Sequence, residues 1–463
     1  MLRKISLLIL ICICLVGCGE TATLLDFLPP ERSSLLDLGQ RVVTIGTEEY
    51  TEEEGVLPTL FEHKQDTAMY DAILDRIAML EDKYNCKIEF LDCGYGNKMI
   101  ENMMPLAYTG DPEIDIIFGQ NSNMMGHFAF GGLLYPLTEL KEYLDYENSE
   151  KFGSAGLLEA ARINGIPYAV QPVQWAGFTN SFAYYITWNR ELFSEYAMPE
   201  LHEYYENNTW TFETFENLFA MYEKVANEDI DFASIQRQFF TMSSMWANGV
   251  KFCANDGEGF YSDFTSDKSY KAIDWTLNLY NRYQNIMLFQ DDAYEYGEFC
   301  AEKAMLMPVN TKTITQIVPY EADFEFGIMP FPCGPDGVYG EWSNFVESLR
   351  GFGISNFSDL PDAAAIIIND LAEPFEEIGS LNDYYREQVF FTDLDTDIFL
   401  EVGKNIRHLY SAQGTAIFDF MRKVNGATSV AQLIQAHEGA IEALVLEHIR
   451  PNYEKYIYEH LDS

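Results

Sequence analysis

Basic side chains are scarce: 29 Lys and Arg stand against 73 Asp and Glu, a formal net charge of −44. Phosphate binding needs a basic footprint, so nucleic acid is excluded as an expected partner. An anionic membrane surface would repel such a body as well. Cysteine is sparse too. Three of the eight, Cys12, Cys14 and Cys18, fall in the first eighteen residues. The other five, Cys86, Cys93, Cys253, Cys300 and Cys333, are an odd set without a CxxC pair. Neither a zinc site nor a disulfide framework is expected from them, only buried free thiols.

Catalytic signatures are equally thin. Gly153-Ser154-Ala155-Gly156 has the wrong spacing for a nucleophile elbow, and no phosphate-cradling loop of Walker type occurs. His437-Glu438 lacks the second histidine of a zinc protease. Asp393-Leu394-Asp395-Thr396-Asp397 imitates the start of a calcium loop, but Ile398 and Lys404 stand where glycine and glutamate are needed. It reads as a solvated acidic turn. With this many acids, two carboxylates at glycosidase separation occur by chance, so their abundance carries no argument for hydrolysis. No cofactor or metal is expected, and no catalytic residue is assigned.

What is present begins at the N-terminus. Arg3 and Lys4 precede the apolar run Ile5–Val16, an export signal too short to span a bilayer. Leu15-Val16-Gly17-Cys18 is similar to the lipobox of bacterial lipoproteins, which implies a diacylglycerol on Cys18 and loss of residues 1–17. The alternative is a plain secretory signal with an incidental cysteine. Loss of Arg3 and Lys4, with no acid, would take the formal charge from −44 to −46. Residues 18–40, with Pro29-Pro30, read as a tether.

The chain has 463 residues, 48% of them apolar and 15% aromatic, too many for one core and too apolar for disorder. Arg41–Gly46, Lys87–Asp92 and Ile114–Phe118 read as β-branched strands, separated by helices over Asp66–Tyr84 and Asn97–Tyr108. Pro105 interrupts the second helix, and Thr138–Leu144 reads as an acidic one. Strand and helix in alternation imply a parallel sheet with ligands beyond the carboxyl ends of its strands, which marks Gln120, Asn121, Ser122 and Asn123. Gly165–Leu192 contains two strand-like runs around a polar, aromatic stretch with Gln171, Gln174 and Trp175. It reads as a passage from one lobe to another, and Glu347–Ser355 as a second passage whose glycines allow close backbone approach. Thr211 is a candidate N-cap, Phe239–Trp246 a helix, and the run ending at Val309 a strand that delivers Asn310 and Thr311.

The order of these landmarks resembles the extracellular solute-binding proteins of bacterial ABC importers, specifically the maltose-binding-like family 1. The resemblance runs from residue 41 to the C-terminus. It rests on TGDPEIDIIFG (109–119), GGLLYPLTEL (131–140), GIPYAV (165–170), YYITWNRELF (184–193), WTFETFENLF (210–219), WANGV (246–250), AMLMP (304–308), FGIMPFP (326–332) and GFGIS (351–355). Each motif is weak alone, and their order makes the match. The resemblance implies an α/β, two-lobed periplasmic-binding-protein-like fold, each lobe a mainly parallel sheet flanked by helices, with a helical C-terminal part. Residues 41–168 and 350–405 are expected in the first lobe, and 169–349 and 406–463 in the second.

The resemblance also implies a monomeric protein, lipid-anchored through Cys18 on the extracellular or periplasmic side. It would capture a carbohydrate, expected to be an oligosaccharide, by lobe closure and deliver it to ABC permease subunits. Carried over by position, ligand contacts are expected from Gln120, Asn121, Ser122, Asn123, Gln171, Gln174, Trp175, Trp246, Asn248, Asn310, Thr311, Trp342, Asn344, Glu347 and Arg350. The family's Gly-x-Trp after the AMLMP-like strand is replaced here by Val309-Asn310-Thr311, which removes one stacking tryptophan. Trp175, Trp246 and Trp342 are equally candidates for core packing. Two alternatives stay open: a surface glycoside hydrolase or cell-wall enzyme, and the same fold holding a non-sugar polar solute.

Overall fold

A computed structural model describes residues 36–48, 59–61, 63–65, 67–148, 150–153, 161–173, 175, 184–226, 229–255, 260–290, 296–342, 344–346, 350–376, 378–404, 406–408, 414–424 and 429–449. The signal segment with Cys18, and also Gln174 and Glu347, lie outside them. The first lobe is built on β1 (Arg41–Thr47), α1 (Ala68–Tyr84), β2 (Cys86–Asp92), α2 (Asn97–Thr109) and β3 (Ile116–Gln120). Val43, Ile45, Ile116 and Phe118 are fully buried, as expected for β-branched and aromatic runs covered on both faces. Met69, Ile73, Ile77 and Leu80 give α1 its buried face, and the Thr67 side chain accepts from Tyr70 N at its start. Pro105 is accommodated inside α2 rather than breaking it. The expected helix over Thr138–Leu144 is only a 3₁₀ turn, Leu137–Leu140.

The second lobe holds β4 (Tyr184–Asn189), α3 (Phe212–Tyr222), β5 (Asp231–Gln236), α4 (Arg237–Ala247), α5 (Asp267–Tyr283), β6 (Met287–Gln290), β7 (Ala304–Asn310), α6 (Thr311–Gln316) and β8 (Phe326–Pro330). Thr211 caps α3 in a reciprocal pair with Thr214. The chain then returns through β9 (Arg350–Ile354) and α7 (Pro361–Leu371) and continues into α8 (Asp393–Lys404). The first sheet has the order β9-β3-β1-β2 and the second β6-β5-β7-β4-β8. In each, one strand opposes the rest: β9 is antiparallel to β3, and β4 to both β7 and β8. Those two strands are the ones the chain enters on arriving from the other lobe. Each therefore starts at the edge where its parallel neighbours end. Arg350, first in β9, lies opposite Gln120, last in β3, and Tyr184, first in β4, lies opposite Asn310, last in β7.

The two passages touch. Val170 and Phe352 exchange backbone hydrogen bonds of 2.9 and 2.7 Å. A Cβ at Gly351 would lie 2.7 Å from the Val170 carbonyl oxygen, so glycine is required there. The chain passes between lobes a third time, after α7. Residues 350–371 stay with the first lobe, but α8 does not. It packs on β8, with the Tyr185 hydroxyl donating to Phe399 O and Asp395 accepting from Ile328 N. The boundary expected at residue 405 therefore falls too late, because the apolar face of α8, with Ile398, Phe399 and Val402 buried, is covered by the second sheet. The acidic turn expected at Asp393–Asp397 is instead the first turn of α8. Its Asp395 is fully buried between Arg190 (3.0 Å) and His202 (3.1 Å). Among the described residues, no helix is long and apolar enough to cross a membrane, and no group of His, Cys, Asp and Glu side chains is placed to hold a metal ion. Cys86, Cys93 and Cys333 are buried free thiols, while Cys253 and Cys300 are half-buried. Burial pushes the Cys93 thiol up to about 12.

Candidate functional site

Two polar recesses occupy the sheet edges at which the parallel strands end. In the first lobe, the edge is organised by Glu48, the residue after β1. Its carboxylate accepts from Gly96 N (3.1 Å), Gln120 N (3.0 Å) and Asn123 Nδ2 (3.1 Å), and it pairs with Arg350 Nε at 3.3 Å. Both charged side chains are buried, so the pair stands on geometry and on these extra donors. Asn123 also donates to Gly96 O, which joins the loop after β3 to the loop after β2. Arg350, Asn121 and Gln171 line a small recess. The buried Asn121 Oδ1 has no hydrogen-bond partner. Ser122 and the side chain of Gln120 are half-buried beside it.

In the second lobe, a shallow recess lies along one row of the sheet. Gln290 ends β6 opposite Gln236, which ends β5, while Asn310 ends β7 opposite Tyr184. These four residues line the recess with Ser234, Phe239, Tyr296 and Thr313, over a floor of Met307, Pro308 and Val309. Tyr184 stacks on Phe239 with ring centroids 5.1 Å apart. Gln290 Nε2 donates to Ser234 Oγ at 2.9 Å. Asn310 Oδ1 is used as the cap of α6, accepting from Thr313 N at 2.8 Å. Two buried atoms of residues that line this recess have no partner: Gln236 Nε2 and Thr313 Oγ1, the latter on a residue only 3% exposed. Buried polar atoms are normally satisfied, so unpartnered ones in a recess are groups a ligand would complete. Among the described residues, the side chains that line this recess are uncharged.

Of the residues marked in the sequence, the structure gathers Asn121, Gln171 and Arg350 in one recess, with Gln120, Ser122 and Asn123 around it, and Asn310 in the other. The tryptophans go elsewhere. Trp175 is 0% exposed and packs among Phe61, Phe352 and Phe375, donating Nε1 to Leu371 O at 3.4 Å. It is a core residue pinning the first passage to the third. Trp246 is buried against Phe252, and Trp342 is stacked on Tyr205 at 5.5 Å. Asn248 is consumed in holding a turn, donating to Lys268 O and accepting from Asp336 N. Thr311 is fully buried in the first turn of α6 and does not line the recess. Asn344 begins a short strand, Asn344–Val346, paired with Ile406–His408. Sequence reasoning missed Glu48, Tyr184, Ser234, Gln236, Phe239, Gln290, Tyr296 and Thr313. The signal was available: Glu48, Gln236 and Gln290 are the residues at the carboxyl ends of parallel strands, the rule that marked Gln120 and Asn310.

The architecture has known counterparts. The cyclic alpha-maltosyl-1,6-maltose binding protein of Arthrobacter globiformis superposes with a TM-score of 0.63 at 14% identity, over 88% of this chain and 100% of that one. The chain carries the two-lobed periplasmic binding-protein fold. The GacH receptor of Streptomyces glaucescens, solved unliganded and with acarbose and an acarbose homolog, matches the same fold with a TM-score of 0.64 at 14% identity, over 88% of this chain and 98% of its own. UgpB of Mycobacterium tuberculosis, solved with glycerophosphocholine, matches with a TM-score of 0.59 at 14% identity, over 82% and 96%. By sequence, no protein-family model and no curated protein matches the chain. In a binding-protein fold, the strand ends of the two lobes are the surfaces between which the passages run, and here both recesses adjoin them: Arg350 and Gln171 on one side, Tyr184 on the other.

Proposed function

We propose that this protein captures an uncharged extracellular carbohydrate, an oligosaccharide, between its two lobes and delivers it to the permease of an ABC importer. The observation that carries this reading is the second-lobe recess. It combines aromatic side chains, Tyr184 stacked on Phe239 and the half-buried Tyr296, with amide and hydroxyl groups and two buried polar atoms that lack partners. A sugar ring needs that combination: a flat face for its C–H side and paired polar groups for its hydroxyls. The uncharged side chains that line this recess among the described residues, and the neutralisation of Arg350 by Glu48, favour a neutral solute. Two of the similar structures are proteins that hold cyclic alpha-maltosyl-1,6-maltose and acarbose, which supports the same class. Attachment through a lipid on Cys18, a monomeric state and a place on the outer face of a membrane belong to this proposal.

A second reading keeps the fold and replaces the cargo with a polar non-sugar solute, supported by UgpB with glycerophosphocholine. A hydrolase reading is less favoured. Glu48 is the carboxylate of the first-lobe edge, and its oxygens are engaged by Gly96, Gln120, Asn123 and Arg350 rather than open to a glycosidic bond. The test is a thermal-shift screen of neutral oligosaccharides, N-acetylated sugars, and glycerol phosphodiesters. A ligand bound only by the native state raises the melting temperature. Shifts confined to neutral oligosaccharides are expected, without turnover. Shifts confined to phosphodiesters would replace the carbohydrate, and released reducing ends would reinstate the hydrolase.

A further inference from the structure

We infer that Tyr95 is a stacking subsite of the first lobe, holding the flat face of one sugar ring. The inference rests on the carbohydrate reading above. Tyr95 lies in the loop between β2 and α2, at the sheet edge that carries Glu48 and Arg350. That loop is held at many points. Gly94 N donates to Asp92 Oδ1 at 2.8 Å, Lys98 N to Tyr95 O at 3.1 Å, and Asn102 Nδ2 to Cys93 O at 3.1 Å. Gly96 gives its N–H to Glu48 and takes a hydrogen bond from Asn123 at its carbonyl. Gly94 and Gly96, at φ of +79° and +57°, supply the backbone that brings Tyr95 outward between them.

A loop this constrained would bury an aromatic if packing were its purpose. Tyr95 instead stays 51% exposed, with the Arg350 guanidinium carbon 5.9 Å from its ring centroid. Arg350 also lines the recess with Asn121 and Gln171, so one side chain links the exposed ring to the polar recess. An aromatic face and a set of amides are thereby placed side by side on a rigid edge. The ordering that binding would otherwise require is already in place. Tyr95 is thus the exposed ring of the first-lobe edge, while the second-lobe recess is lined by Tyr184, buried against Phe239, and the half-buried Tyr296.

The test uses the full chain and calorimetric titration with neutral linear trisaccharides of α-glucan, β-glucan and β-xylan type. Tyr95→Phe is expected to bind within about threefold of the unsubstituted chain. Tyr95→Ala and Tyr95→Leu are both expected to lose about tenfold or more, with melting temperatures unchanged because the side chain is half in water. If Tyr95→Leu binds as tightly as tyrosine, the ring serves only to cover Arg350 and the subsite is refuted. Equal binding by Tyr95→Ala refutes it as well, and leaves the carbohydrate reading standing. If none of the trisaccharides binds the unsubstituted chain and a glycerol phosphodiester does, the carbohydrate reading fails and the subsite with it.

Discussion

The two half-sites are built on opposite plans. The first-lobe edge is filled by its own chemistry: Glu48 engages three donors and Arg350, and Asn121 Oδ1 beside that network lacks a partner. The second-lobe recess is larger and unfinished, lined by uncharged side chains among the described residues, with Gln236 Nε2 and Thr313 Oγ1 lacking partners. In the first lobe, then, strand-end residues serve to hold the edge together. In the second, Gln290 and Asn310 are also engaged, but Gln236 Nε2 lacks a partner. Substitutions at equivalent places in the two lobes should therefore separate stability from affinity.

The largest effect is expected at Glu48. Glu48→Ala strands a buried arginine and frees three donors, and should cost about 3–5 kcal/mol of stability in chemical denaturation. A cost under about 1 kcal/mol would mean the network is dispensable and the two edges are alike. Trp175→Ala should cost a similar amount, about 3–5 kcal/mol, because a fully buried indole is removed from the cluster with Phe61 and Phe352. Protein that remains folded should bind normally, and weakened binding at unchanged stability would return Trp175 to the cleft.

Asp395 sharpens the contrast within the second lobe, where it is structural while the recess is not. Burial alone would raise its pKa, but the hydrogen bond from His202 and the charge of Arg190 outweigh burial and hold it below the ordinary 3.8. A carboxyl lowered on folding contributes stability above its unfolded pKa, and that contribution fades as pH falls from about 4 through the lowered folded value. Asp395→Asn should flatten this acid-side loss, read as melting temperature between pH 5 and pH 2. An unaltered profile would show that the loss arises elsewhere. The smallest effect on stability is expected at Gln236. Gln236→Ala gives up no internal hydrogen bond of its amide nitrogen, so stability should stay within about 0.5 kcal/mol while affinity falls about tenfold.

Most of the fold was legible because its strands are β-branched runs and its helices carry period and caps, as at Thr67 and Thr211. Direction was legible too, since strands alternating with helices form parallel sheets. The placement of α8 was not. Asp393–Asp397 looks solvated in sequence, and only tertiary contact with Arg190 and His202 buries Asp395. Strand-end position marked Gln120–Asn123 and Asn310, and of these Asn121 and Asn310 line the two recesses. Tryptophan carried no such signal, because an indole suits a sugar face and a core equally well, and sequence does not say which side of a segment meets solvent. Trp175 illustrates this: it sits in the right passage and points into the core.

The central claim is that one ligand is held by both lobes at once. Calorimetric titration of the best-bound oligosaccharide against Asn121→Ala, Gln236→Ala and the double variant tests it most directly. Each single substitution should weaken binding of that same oligosaccharide by about five- to tenfold, and the double variant by more than either. If one substitution abolishes binding and the other leaves it unchanged, the solute rests on a single lobe and the two-sided account is wrong.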